Sequence, residues 1–85
     1  MDPTASRREE IEEVLAGILG AEGFERPWPD DRPLTDAGLD SVGMLELVAA
    51  LEERFSIRFE GEDLDARNFM TIAGLERLVA RRGAR

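Results

Sequence analysis

The sequence predicts an all-α fold, a four-helix bundle with three main helices, one short helix and a long loop between the first two. Three stretches place apolar residues at i, i+3, i+4 and i+7 or close variants, the spacing of a helix with one buried face. The alternating residues around Ile57 and Phe59 form a stretch too short for a strand and lie between helices, so they read as a connector. At 85 residues without an internal repeat, the chain forms one domain, 1–85, with its core within residues 7–82.

Ser6-Arg7-Arg8-Glu9 has capping-box spacing, and Ile11, Val14, Leu15, Ile18 and Leu19 follow on one face. A first helix is expected from about Arg7 to Leu19, stopped by Gly20. Residues 20–39 hold three Pro and three Gly without periodicity. They read as a long loop, and loops of that length in small domains are usually functional or partly mobile. Trp28, between Pro27 and Pro29, is either a docking residue or an aromatic folded over the bundle. Met44, Leu47, Val48, Leu51 and Phe55 make the next apolar face, on a second helix that starts at Asp40 or Ser41 and supplies the centre of the core. Glu62 to Arg67 are expected to form the short third helix, held by Leu64. Thr71 is placed to cap a last helix that turns Ile72, Leu75, Leu78 and Val79 inward and ends at Arg81, Arg82 and Gly83. Cations in that last turn suit the helix dipole.

Composition narrows the chemistry. The chain contains no Cys, His, Tyr or Lys, which removes the usual nucleophiles and neutral-pH bases apart from Ser, Thr and carboxylates. No catalytic residue is assigned, and the protein is not expected to be an enzyme. Disulfides, thiolate metal sites and imidazole metal sites are excluded as well. Glu60, Glu62, Asp63 and Asp65 lack the alternating ligands and central Gly of an EF-hand loop, so no dedicated metal site is expected. The charge-free run Val14 to Ala21 is far short of the roughly 20 residues that cross a bilayer. A soluble cytoplasmic monomer is the expectation.

Of the net charge of −8, −7 falls within residues 35–66, where Asp36, Asp40, Glu46, Glu52, Glu53, Glu60, Glu62, Asp63 and Asp65 face only Arg54 and Arg58. Such a field repels nucleic acid and anionic lipid and steers partners that carry Arg or Lys.

The site is expected where the long loop meets the second helix, at Gly38-Leu39-Asp40-Ser41. A hydroxyl at a helix N-terminus lies beside unpaired N–H groups and the positive end of the dipole, a favourable place for a phosphate ester. The run Asp36-Ala37-Gly38-Leu39-Asp40-Ser41, with Leu45-Glu46-Leu47-Val48, Leu51-Glu52-Glu53-Arg54-Phe55 and Asn68-Phe69-Met70-Thr71-Ile72, resembles the signature of the acyl carrier protein family, over residues 7–82. The resemblance implies that Ser41 receives 4'-phosphopantetheine from coenzyme A and that acyl groups are then held as thioesters on the arm. It further implies that Asp40 helps a phosphopantetheinyl transferase to position metal and hydroxyl. The thiol would come from the arm, in keeping with a chain that has no Cys.

By the same resemblance, Val42, Leu45 and Glu46 match the partner-facing start of the second helix, and Glu52 and Glu53 its acidic end. Val42, Leu45 and Ala49 also lie at i, i+3 and i+7 on a face distinct from the core stripe, the pattern of an apolar docking surface ringed by acid. The implied partners are the transferase and an acyl- or aminoacyl-loading ligase, ketosynthase or acyltransferase. Leu39 and Asp40 stand where peptidyl carriers usually have a second Gly and a His, which favours the acyl type. Asn68-Phe69 is similar to stand-alone carriers of natural-product pathways, polyketide pathways included, and to the D-alanyl carrier. Gly43 departs from the family pattern and weakens the third position of the second helix by about 1 kcal/mol relative to Ala. Two alternatives stand beside this reading: an aminoacyl or peptidyl carrier of the D-alanyl type, and an acidic interaction module that is never modified.

Overall fold

Ile11 and Leu15, Leu47 and Leu51, and Ile72, Leu75 and Leu78 are each exposed by 1% or less, and the three α-helices that present them close around one core. These helices are α1 (Pro3–Leu19), α2 (Ser41–Phe55) and α3 (Ile72–Gly83). The computed structural model describes residues 3–20 and 22–83, with side chains from Arg7 onward, and contains no strand among them. No helix among the described residues is long and apolar enough to cross a membrane.

α1 starts at Pro3 rather than near Arg7, so Ser6 lies inside the helix and not at its cap. Proline suits a first helical position because its missing N–H would have no intrahelical acceptor. The other end matches expectation: Gly20, at φ 84°, takes the left-handed conformation and donates its N–H to the Ala16 carbonyl at 2.9 Å. α3 is capped as its sequence predicts, with the Gly74 N–H donating to Thr71 Oγ1 at 3.1 Å.

The segment after α1 is a loop, yet it is pinned along its length. Phe24 and Trp28 are buried and stacked, ring centres 5.4 Å apart. Leu34 is fully buried in a short 3₁₀ helix, Leu34–Ala37, and donates its N–H to the Met70 carbonyl at 2.6 Å. Ala73, in the first turn of α3, donates to the Asp30 carbonyl at 3.2 Å. Between α2 and α3, Ile57 and Phe59 run through an irregular connector, as expected.

The short third helix is corrected. Two 3₁₀ helices, Gly61–Leu64 and Ala66–Phe69, replace it, separated by an extended Asp65. The break has a local cause: Asp65 Oδ1 accepts the Arg67 N–H at 2.9 Å, an Asx-type bond that competes with helical continuation. Leu64, expected to hold this segment, is 52% exposed. Phe69, edge-on to Phe59 at 5.7 Å, and Asp63 hold it instead.

Asp63 is 1% exposed and ties this segment to the end of α3. It accepts hydrogen bonds from the Glu60 N–H at 3.1 Å, from Arg81 Nη1 at 3.3 Å and from Arg82 Nε. Burial raises its pKa, but the Glu60 N–H, the Arg82 hydrogen bond and the charges of Arg82 and Arg81 outweigh burial and hold it below the ordinary 3.8. A carboxylate depressed in the folded state stabilises fully above its unfolded pKa, and that contribution is lost as pH falls through the folded pKa. Asp63→Asn should therefore cost about 1.5–3 kcal/mol at pH 7, the range for hydrogen bonds to charged groups. Urea melts should show the gap from wild type closing as pH falls below about 4. A gap that stays constant down to pH 2 would remove this ionic role.

Candidate functional site

Two anchors bring the chain to the start of α2. Leu34 and Leu39 are buried, and between them Gly38, at φ 99°, turns the backbone through a left-handed conformation. Asp40 is the N-cap: its Oδ1 accepts the Gly43 N–H at 2.8 Å and its carbonyl accepts the Met44 N–H, also at 2.8 Å. Ser41 is the first helical residue and is exposed. The helix-starting role thus belongs to Asp40, leaving the Ser41 hydroxyl at the surface.

The Ser41 and Val42 N–H groups have no acceptor within α2, because the first four donors of a helix lack intrahelical partners and Asp40 serves only the next two. No acidic residue lies in the first turn of α2. A phosphate ester on Ser41 Oγ fits this position: the hydroxyl is reachable, and the adjoining dipole end and N–H donors favour an anion. The chain has no His or Lys to stand beside this hydroxyl as a base.

The other singled-out residues sort by exposure. Val42 is 66% and Leu45 72% exposed, and Ala49, Glu46 and Glu53 are also exposed. These form one outward face of α2, away from buried Leu47 and Leu51. Glu52 is different: it is half-buried, and its Oε2 accepts the Phe59 N–H at 2.8 Å, fastening the connector to α2. Arg54 turns toward α1, donating to Glu10 at 3.0 Å and to Glu13. The α2 acids are therefore left without their nearest neutralising charge.

Beyond α2, Asp63 and Asp65 are used internally. Arg67's side chain and backbone N–H hold the Asp65 carboxyl at about 2, and Asp63 serves Arg81 and Arg82. No group of three or more potential metal ligands converges among the described residues. Sequence reasoning missed the commitments of Asp63 and Glu52; the Glu60-x-x-Asp63 spacing was the one available signal for the first.

The family model described as "Phosphopantetheine attachment site" matches residues 9–80. An acyl carrier protein of Streptomyces coelicolor is 37% identical over 68 residues, 76% of this chain and 74% of that protein. One of Solidesulfovibrio magneticus is 34% identical over 55 residues, 65% of this chain and 69% of that protein. No solved structure gives a significant match. With a match that spans the bundle from α1 to α3, the chain belongs to the acyl carrier protein family, carriers rather than enzymes, whose working group is a covalently attached 4'-phosphopantetheine.

Proposed function

We propose that Ser41 carries the 4'-phosphopantetheine and that the exposed face of α2 presents it to partner enzymes. The observation that carries the assignment is an exposed Ser41 at the first position of α2, beside a cap made entirely by Asp40. Ser41 Oγ would form the new bond to the phosphorus of coenzyme A that bears the pantetheine, with adenosine 3',5'-bisphosphate leaving and the hydroxyl proton passing to a base of the transferase. Asp40, whose Oδ1 is held by the Gly43 N–H, would help to orient metal and hydroxyl in that encounter. When bound, the arm supplies a terminal thiol on which acyl groups are held as thioesters. Incubation with coenzyme A and a broad-specificity phosphopantetheinyl transferase, followed by intact-mass and peptide analysis, should place one arm on Ser41. A protein that never gains the arm's mass would support the unmodified interaction module instead.

For docking we propose Val42, Leu45 and Ala49 as the apolar centre and Glu46 and Glu53 as the charged rim. Exposed charge contacts contribute about 0.2–1 kcal/mol each, and reversal replaces attraction by repulsion and so about doubles the loss, which should slow loading roughly 2- to 30-fold. Glu46→Arg and Glu53→Arg should show this by initial rates, with melting temperatures near wild type. Added salt should slow the wild type, because exposed charges are screened over about 10 Å at 0.1 M. Equal rates in both variants and across a salt series would move recognition off this face. Glu52→Arg is the wrong probe, since it also breaks the bond to Phe59.

As cargo we propose a short acyl, hydroxyacyl or aminoacyl unit handed between separate enzymes of a natural-product pathway such as a polyketide one. The burial of Leu47, Leu51, Leu75 and Leu78 supports this, since close-packed side chains open for a long alkyl chain only at a cost. Asn68 and Phe69 explain themselves by architecture: Asn68 Nδ2 donates to the Glu62 and Asp63 carbonyls, and Phe69 fills the core. Comparing amide shifts of the protein loaded with a short polar group and with a long alkyl group checks the size preference. Large shifts at Leu47 and Leu75 with the long chain, and protection of its thioester, would overturn it.

A further inference from the structure

Beside Ser41, on the side facing α1, lies a groove of about 280 Å³ that the attachment chemistry does not require. Ile18 and Leu19 of the last turn of α1 form one wall, Val42 and Gly43 the other, with Asp40 and Glu46 at its edges. We propose that this groove is the resting seat of the first, branched part of the pantetheine arm, an inference that rests on attachment at Ser41.

Three observations carry it. The groove is flanked by the two chain neighbours of Ser41, Asp40 and Val42, so an arm fixed there starts at its mouth. Position 43, on its lining, has no side chain: a Cβ there would stand 3.1 Å from Leu39 Cδ1, 3.3 Å from Asp40 Oδ1 and 3.7 Å from Ile18 Cγ2, so it would crowd two of the residues that line the space, Asp40 and Ile18. The weak helical position thus keeps side-chain atoms off this part of the lining. Finally, Ile18 and Leu19 belong to the apolar stripe of α1 yet stay half-exposed, in contrast to buried Ile11 and Leu15.

The chemistry of the arm matches these walls. Its first carbon segment carries two geminal methyl groups, which suit Ile18, Leu19 and Val42, followed by a hydroxyl and an amide N–H, for which Asp40 and Glu46 are acceptors. The volume is just below the roughly 300–1,000 Å³ of sites that enclose whole small molecules, so the groove suits a segment of the arm rather than a long chain. Tethering makes even a weak seat count, because a short flexible link holds its end at an effective concentration of about millimolar. The arm would then rest on the α1 side of Ser41, with the α2–α3 contact of Leu47, Leu51, Leu75 and Leu78 left closed.

The test uses full-length protein with labelled Ile, Leu and Val methyl groups, loaded from coenzyme A and checked by mass. Nuclear Overhauser contacts are expected from the arm's geminal methyls to the methyls of Ile18 and Val42, with holo-minus-apo amide shifts larger at Leu19 and Gly43 than at Leu75 and Leu78. Gly43→Val, which adds a side chain to the groove's lining, should reduce those contacts at least twofold; contacts unchanged in a folded Gly43→Val protein would overturn the seat. If that variant does not fold, the wild-type contacts decide alone. Absence of mass gain overturns attachment and the seat together. Mass gain on Ser41 without contacts to Ile18, or with contacts to Leu75 and Leu78 in their place, overturns the seat and leaves attachment standing.

Discussion

Ser41→Ala should abolish the gain of the arm completely while leaving the bundle as stable as wild type or slightly more so. Asp40 makes the cap through Oδ1 and its carbonyl, so removal of the Ser41 hydroxyl takes no helix-starting bond away. Alanine is the better helix former by about 0.5 kcal/mol, which for a domain of this size raises the melting temperature by about 4 °C at most. Asp40→Ala is the complementary variant: it keeps the hydroxyl but loses the cap, at about 1 kcal/mol and about 4–8 °C. The pair separates an attachment role from a structural one, since a residue that merely starts the helix would show the opposite pattern. Arm mass on the Ser41→Ala protein would refute the assignment.

The parts of the fold that were legible are those where burial is periodic. Leu47 and Leu51 in α2, and Ile72, Leu75, Leu78 and Val79 in α3, are buried as their spacing predicts. Helix ends were readable where one residue decides them, at Gly20 and Thr71. The start of α1 was not, because the residues from Pro3 to Glu10 carry no apolar stripe and a face-based reading begins only at Ile11. The loop hid its burial for a related reason: Phe24, Trp28, Leu34 and Leu39 all face the core at irregular spacing, and periodicity cannot register that. At Leu64 the reading failed outright, because two polar residues, Asp63 and Asp65, control the local backbone through bonds that no apolar pattern encodes.

The site divides the same way. Asp40 and Ser41 are adjacent in sequence, so their joint role at a helix start was readable from the chain alone. Glu52 and Glu53 look equivalent in a run of charge, yet the first is bound to the Phe59 N–H and the second is free at the surface. The groove beside Ser41 joins Ile18 to Gly43 across a 20-residue loop, and Gly43 is read as a weakness until its neighbours are in place.

Trp28→Ala should be the most destabilising single change in the loop, by about 3–5 kcal/mol, the range for truncating a buried aromatic. The indole is 3% exposed and stacks on Phe24, and the Arg32 guanidinium lies 4.5 Å over its face. Its Nε1–H donates to the Arg32 carbonyl at 3.1 Å. The Trp28 backbone N–H also donates to the buried Glu12 carboxylate at 3.2 Å, and Arg8 donates to the Trp28 carbonyl, so α1 grips the loop at this residue. Against a total stability of about 5–15 kcal/mol, a loss of this size lowers the melting temperature by at least about 12 °C. Trp28→Phe keeps the stack and loses the indole donor, and should cost about 1 kcal/mol. Circular dichroism melts of both variants measure this. A docking residue would behave in the reverse way, slowing transfer while the melting temperature stayed within about 2 °C of wild type, and that result would refute the anchoring role. Below its own melting transition the Trp28→Ala protein should still take the arm on Ser41, because Leu34, joined to the Met70 carbonyl, remains as the second anchor between the loop and the start of α2.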